Sequence, residues 1–350
     1  MKLKVGILGA TGMVGQRFIE CIEKHPMFEI GALAASEKSA GSKYKKVAKW
    51  YLAGDMPEDI SDTVVEKIDA KIIDKFNLDL VFSAIPSDIA EKVEADFAQY
   101  VPVFSNTATY RMANDVPLVI PEVNPDHMNL VKIQKEKRKW NGFIITNPNC
   151  TTVGLVIPLK PLMDNFGIEY VNVTTMQALS GAGYDGVPSM AILDNLIPYI
   201  KNEEEKVEIE GLKILGKYNK NGIEFADFSV IAACNRISVL DGHTESVFVK
   251  LKKDFEVEDV MEIFDKFRGE PQEMKLPTAP KKPIVVLSED DRPQPRLDRD
   301  RGKGMSVSVG RIKKNKKILK FTCVSHNTIR GAAGASVLNA ELAYKKGLMD

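Results

Sequence analysis

Gly9-Ala10-Thr11-Gly12-Met13-Val14-Gly15 follows an apolar run, Leu3–Leu8, and leads into a segment of helical period, Val14–Glu23. A strand that turns through glycines into a helix exposes unpaired backbone N–H groups at the helix start, where a pyrophosphate can sit. The spacing is GxxGxxG rather than GxGxxG, so the motif is a variant fingerprint. A purely structural strand–helix turn is the bland alternative. Position and strand–helix context favour a dinucleotide site built on Gly9, Thr11, Gly12, Met13 and Val14. At the end of the next strand lies Ala34-Ala35-Ser36-Glu37-Lys38-Ser39. Ser36, Ser39 and Lys38 suit a 2′-phosphate and hence NADP, while Glu37 leaves NAD open.

Outward from this loop, the first 150 residues alternate β-rich runs with helical segments. The runs are Leu3–Leu8, Ile30–Ala34, Leu78–Ala84, Val101–Phe104, Val116–Ile120 and Phe143–Ile145, with helices at Val14–Glu23 and Ser87–Gln99. Such alternation predicts a parallel sheet covered on both faces. Beyond Cys150 the strand segments lengthen: Glu169–Gln177, Phe228–Leu240, Ser246–Lys252, Met305–Ile312 and Ile318–Val324, the last two flanking a Lys/Asn turn. Helices are expected at Thr151–Phe166, Ser189–Ile200, Glu203–Leu215 and Val257–Phe267. The fold class is α/β: a Rossmann-type dinucleotide-binding domain with a second α+β catalytic and dimerisation domain. The expected division is 1–149 for the cofactor, completed by a small-residue-rich C-terminal helix within 327–350, and 150–326 for catalysis. The Pro- and charge-rich stretch Glu289–Gly304 reads as an exposed loop without a role.

Composition narrows the function. The 350 residues carry 48 Lys+Arg and 48 Asp+Glu, with 44% hydrophobic and 27% charged residues. A globular chain without surplus positive charge is a poor general nucleic-acid binder. The N-terminal lysines and apolar run imitate a signal peptide, but glycines interrupt the run and no cleavage site follows. No apolar stretch approaches the ~18 residues needed to span a bilayer. Four scattered cysteines and four scattered histidines form no metal-binding pattern, so no metal is expected, and dispersed thiols fit the cytoplasm.

One cysteine stands apart. Thr146-Asn147-Pro148-Asn149-Cys150-Thr151-Thr152 joins a strand to a helical pattern, and a thiol at a helix start has its thiolate favoured. The bland reading is a small buried hydrophobe. Beside a dinucleotide domain, a nucleophilic cysteine indicates thioester chemistry coupled to hydride transfer. Of the histidines, His25 and His127 fall in polar helix-end contexts and read as surface residues. His243, after Asn235-Arg236 and a glycine turn, is preferred over His326 as the proton-handling partner.

The motifs GATGMVG, SNTATYRMANDVPLVIPEVNP, TNPNCTT, QALSGAGYDG, EEEKVEIEGLKILGK, NRISVLDGH and HNTIRGAAGAS, in this order, resemble the aspartate-semialdehyde dehydrogenase family, its archaeal and fungal branch most closely. The resemblance implies NADPH-dependent reduction of β-aspartyl phosphate to aspartate semialdehyde with release of phosphate, in the biosynthesis of lysine, threonine, methionine and isoleucine. It implies that Cys150 forms the thioester and that His243 acts as acid/base. Arg236 would grip the substrate α-carboxylate, Glu210 its amino group, and Gln177 would orient it. Arg111 and Lys213 would bind phosphate, although an ion pair on a solvated helix is the ordinary reading of Glu210 and Lys213. Ser180, Gly181 and Asn327 would contact the cofactor, and a homodimer or homotetramer is expected. Pro148 departs from relatives with glycine at that position. A malonyl-CoA reductase on the same scaffold is the closest rival, and Glu210 argues against it. An N-acetylglutamyl-phosphate reductase or a non-catalytic NADP-binding protein fits less well.

Overall fold

The computed structural model describes residues 2–220 and 222–349, which divide into two compact units. The first comprises residues up to 119, residues 126–147, and residues from 332 onward. Its strands β1 (Leu3–Leu8), β2 (Phe28–Ala35), β3 (Glu66–Lys67), β4 (Leu80–Ser83), β5 (Val103–Ser105) and β6 (Ile144–Thr146) form one sheet in the order β3-β2-β1-β4-β5-β6. Every pairing is parallel. That order places a topological switch between β1 and β4, beside the glycine loop, where open α/β sheets bind ligands. Phe82 on β4 stacks on Phe18 at 4.7 Å and meets Phe104 at 5.9 Å, so aromatic packing joins the helix Met13–Ile22 to the sheet. Each such pair is worth about 0.5–1.5 kcal/mol beyond its buried area.

Val116–Ile120 was expected as a strand but makes only an isolated bridge, Leu118 to Thr146. Pro117 lacks a donor and cannot extend a ladder. His25 is buried, not superficial: its ring stacks on Phe28 at 4.7 Å and Nε2 lies 2.6 Å from Glu341 Oε1. His127 is buried as well.

The second unit holds residues 120–125 and 148–331. Its strands are β7 (Ile168–Gln177), β8 (Lys217–Asn219), β9 (Gly222–Glu224), β10 (Ser229–Arg236), β11 (His243–Leu251), β12 (Ile284–Val286), β13 (Val307–Asn315) and β14 (Ile318–Ser325). Strands β8 and β9 pair alone, and the rest form a mixed sheet, β10-β7-β11-β14-β13-β12. Strands β13 and β14 form the expected hairpin. The helix Cys150–Phe166 packs across this sheet and is buried almost throughout, which explains its apolar character on every side.

The helix expected over 189–200 stops at Ile192. Asp194 has φ 56°, and Ile197 exchanges backbone hydrogen bonds with Arg236 instead. Met190, Leu193 and Leu196 are exposed, so no apolar stripe is buried to sustain a longer helix.

Candidate active site

Asn149 makes the start of the nucleophile's helix. Its Oδ1 accepts from the backbone N–H of Thr151 at 2.9 Å and of Thr152 at 3.2 Å. An N-cap of this kind is worth about 0.5–2 kcal/mol. The cap is itself held: Nδ2 donates to Glu203 Oε1 at 2.9 Å, and the Asn149 backbone N–H donates to Glu210 Oε2 at 2.7 Å. Cys150 is thus the first residue of a helix whose start is fixed by two carboxylates from the helix Glu203–Ile214.

The strand topology supplies the partners. Strands β7 and β10 run parallel, and their last residues, Gln177 and Arg236, sit in register. Strand β11 runs antiparallel to β7 and begins at that same edge with His243. His243 Nε2 lies 3.2 Å from Cys150 Sγ, while Nδ1 accepts the backbone N–H of Ala178 at 3.1 Å. An Nδ1 that accepts carries no proton, so this pattern fixes the neutral tautomer with Nε2–H directed at sulfur. Burial first, then the Arg236 and His326 charges, push the His243 pKa down to about 3. The ring therefore stays neutral over the physiological range.

Arg236 is buried, and its Nη1 donates to the Ala178 carbonyl at 2.6 Å. A single residue, Ala178, therefore orients both the imidazole and the guanidinium. A Cβ added at Gly181 would stand 2.9 Å from Arg236 Nη1 and 3.4 Å from His243 Cε1. Gly181→Ala should therefore lower kcat about 10- to 100-fold through misplacement of those groups, with little change in thermal stability. Steady-state kinetics and a melting curve check this; wild-type kcat would show that the pair tolerates the methyl.

Glu210 and Lys213 are both buried, which overturns the ordinary reading of a solvated ion pair. Their helix is charge-rich because its glutamates serve a neighbour: Glu204 and Glu208 accept the backbone N–H groups of Cys234 and Ala232 on edge strand β10. Cys234 and Cys323 are buried in the same unit. Desolvation raises Cys234 to about 12 and Cys323 well above the usual thiol range, so both are inert.

In the first unit, Gly9 has φ 85° and its missing Cβ would collide with the Ala84 carbonyl at 2.5 Å. Gly15 allows the helix Met13–Ile22 to approach the Gly9 carbonyl, 2.2 Å from where its own Cβ would be. Gly12 is the N-cap, and Thr11, Met13 and Val14 flank it at the helix start. These are the features that admit a pyrophosphate. Beyond β2, Ser36 is exposed, Ser39 is partly exposed, and Glu37 is ion-paired to Lys67 at 2.5 Å. Arg111 also belongs to this unit, nearly buried, with Nη2 donating to the Asn106 carbonyl at 2.9 Å.

Several supports escaped the sequence reading. Glu203 is one, because its partner Asn149 is remote in the chain. Arg330 is another: fully buried, it forms two hydrogen bonds with Glu122, at 2.9 and 2.6 Å. Asn327 accepts the Gly242 N–H at 2.8 Å and donates to Ser180 Oγ at 2.8 Å, so two proposed cofactor contacts also brace the histidine turn. The Asn-Cys-Thr-Thr order was a readable cap signal; the other contacts carry no local signature.

A parallel nucleotide-binding sheet together with a helix-capped cysteine held against a neutral histidine defines an oxidoreductase of the thioester-forming kind. Residues 4–131 match the family model "semialdehyde dehydrogenase, NAD binding domain", and residues 159–330 match "semialdehyde dehydrogenase, dimerisation domain". The chain belongs to the aspartate-semialdehyde dehydrogenase family. It is 54% identical over 343 residues to the aspartate-semialdehyde dehydrogenase of Methanothermobacter thermautotrophicus, covering 97% of this chain and 98% of that one. The crystal structure of the Candida albicans aspartate-semialdehyde dehydrogenase with NADP is similar, with a TM-score of 0.90 and 44% identity over 99% of this chain and 100% of that one. The malonyl CoA reductase (NADP) of Metallosphaera sedula is 42% identical, covering 99% of this chain and 98% of that one.

Proposed function

We propose that this enzyme reduces β-aspartyl phosphate to aspartate semialdehyde, releasing phosphate. The observation that carries the reading is the Cys150–His243 pair at 3.2 Å, at the sheet edge that also presents Gln177 and the buried cation Arg236. The Cys150 thiolate attacks the acyl carbon, the bond from that carbon to the phosphate oxygen breaks, and a thioester forms. Arg236 pairs with the α-carboxylate, Glu210 with the ammonium, and Gln177 orients the chain between them. Lys213 and Arg111 bind the phosphate.

The glycine loop, with Thr11, Gly12, Met13 and Val14 at the helix start and Ser36 and Ser39 at the ribose end, holds NADP. Ser180, Gly181 and Asn327 serve the nicotinamide end. The Glu37–Lys67 pair supports NADP over NAD, since the one acid in this loop is already engaged. NADPH, when bound, supplies hydride to the thioester carbonyl. Collapse of the resulting oxyanion breaks the C–S bond and returns sulfur as thiolate. Thiolate enters and thiolate leaves, so in this direction His243 need only donate its Nε2–H to sulfur and oxygen as charge develops. The tautomer supports this donor half of the acid/base role.

The protein is a homo-oligomer by its dimerisation domain. A homodimer is proposed through the outward face of the second sheet, where Ile231 and Phe248 are exposed on either side of Asn172. A cytoplasmic setting accords with four free cysteines. Among the described residues, no helix is long and apolar enough to cross a membrane.

The test is substrate preference. Purified protein should oxidise aspartate semialdehyde with phosphate and NADP at least about a hundredfold faster, by kcat/KM, than malonate semialdehyde with CoA, because a malonyl group offers no ammonium to Glu210. A reversed preference would select the acyl-CoA reductase instead.

A further inference from the structure

The loop 289–304 reaches the catalytic turn. Arg299 Nη1 donates to the Asp241 carbonyl at 2.9 Å. Gly242, at φ 97°, turns the chain into His243, and the space where its Cβ would be is bounded by Arg299 Cβ at 3.1 Å and Pro295 Cβ at 3.2 Å. On the opposite side of the peptide, the Gly242 N–H is taken by Asn327. The two residues before the imidazole are thus clamped between the loop and the turn after β14.

The clamp has a rigid base. Asp298, with no solvent exposure, accepts from Arg292 Nε at 2.7 Å, the Gln294 backbone N–H at 2.7 Å and Arg301 Nε at 2.8 Å. Burial alone would raise its pKa, but these hydrogen bonds outweigh it and hold the carboxyl at about 2. The Asp298 carbonyl is tied to Ser308 Oγ on β13, and Gly310 admits the Arg292 carbonyl, 2.5 Å from where a Cβ would be. Residues such as Asp290 and Leu297 leave the loop exposed as expected, but it is firmly anchored, with the Arg299 side chain only 22% exposed.

We propose that Arg299 is a positioning residue: anchored through Asp298, it fixes the Asp241–Gly242 turn and so holds His243 Nε2 against the Cys150 sulfur. The inference rests on Cys150 and His243 being the reacting pair, and not on which acyl substrate they meet.

The test combines kinetics with alkylation of Cys150 by iodoacetamide, which reads the pair without any substrate; Cys150→Ala sets the background. In Arg299→Ala, kcat should fall about 10- to 100-fold, the cost of misplacing a catalytic group by about 1 Å. KM values for aspartate semialdehyde and phosphate should stay within about threefold, since the loss is confined to the transition state. Cys150 alkylation at pH 7 should slow, and Arg299→Lys, which keeps a donor, should recover part of both. Arg299→Met keeps the stem against Gly242 and carries the test should the alanine variant fail to fold. Wild-type kcat, a rise in KM at constant kcat, or a fall in kcat with unchanged alkylation would each overturn the proposal. A protein that alkylates as expected but turns over a different acyl substrate would leave this inference standing and remove only the substrate assignment.

Discussion

Cys150→Ser should lose phosphate-dependent oxidation of aspartate semialdehyde by about a thousandfold or more, as removal of a covalent nucleophile does in other enzymes. Serine is the informative replacement because it would survive in a site built around a basic imidazole, where the ring takes the hydroxyl proton. Here the Ala178 N–H occupies His243 Nδ1, so Nε2 already carries a proton and faces the sulfur as a donor. Burial reinforces this by pushing the imidazole pKa down to about 3. A serine at 150 would therefore meet no acceptor, and its hydroxyl would stay protonated. Cysteine needs no such acceptor, because its thiolate is reached far more easily and is favoured at a helix start. Serine and alanine variants should be equally inactive, while NADPH binding followed by its dihydronicotinamide fluorescence should match wild type. Activity of the serine variant within tenfold of wild type would mean that the imidazole accepts protons at Nε2 after all.

The second large effect is expected at Arg236. Arg236→Lys should reduce kcat/KM for aspartate semialdehyde by about 100- to 10,000-fold, the discrimination that a site built for a hydrogen-bonded group shows when the match is lost. Lysine keeps the charge but loses the planar fork that grips a carboxylate while Nη1 holds the Ala178 carbonyl. That bond orients the residue that fixes the His243 tautomer, so kcat should fall along with affinity. A comparison with propanal, which lacks both the carboxylate and the amine, isolates the recognition part. Preference for aspartate semialdehyde over propanal should collapse in the variant. If that preference survives, the α-carboxylate is held elsewhere.

Five strands of the first sheet were legible because each is a short apolar run; β3, Glu66–Lys67, is two charged residues at the sheet's margin and carries no such signal. The reading failed at Val116–Ile120, where Pro117 breaks the ladder, and at 193–200, where apolar residues stay exposed instead of forming a buried stripe. The Cys150 cap could be read locally, since Asn149, Thr151 and Thr152 are adjacent. The depth of Glu210 and Lys213 could not: helical spacing puts both on one face but does not say whether that face meets water or protein. Nor could the Glu122–Arg330 pair, or the hold of Arg299 on Asp241, because these contacts join chain segments far apart in sequence. The histidine tautomer was furthest from reach. It depends on one backbone N–H arriving at one ring nitrogen.

The first unit gathers residues from both ends of the sequence, and its late segment supplies the helix Ala333–Lys345, which packs on the helix Met13–Ile22 and on β5. This has a consequence for synthesis on the ribosome. At roughly 5–20 residues per second, β1 to β6 emerge well before that helix exists. All of the second unit's residues, Cys150 and His243 included, are also made before it. The nucleotide-binding unit therefore lacks the helix that packs on Met13–Ile22 and β5 until the whole of the second unit's chain has been made.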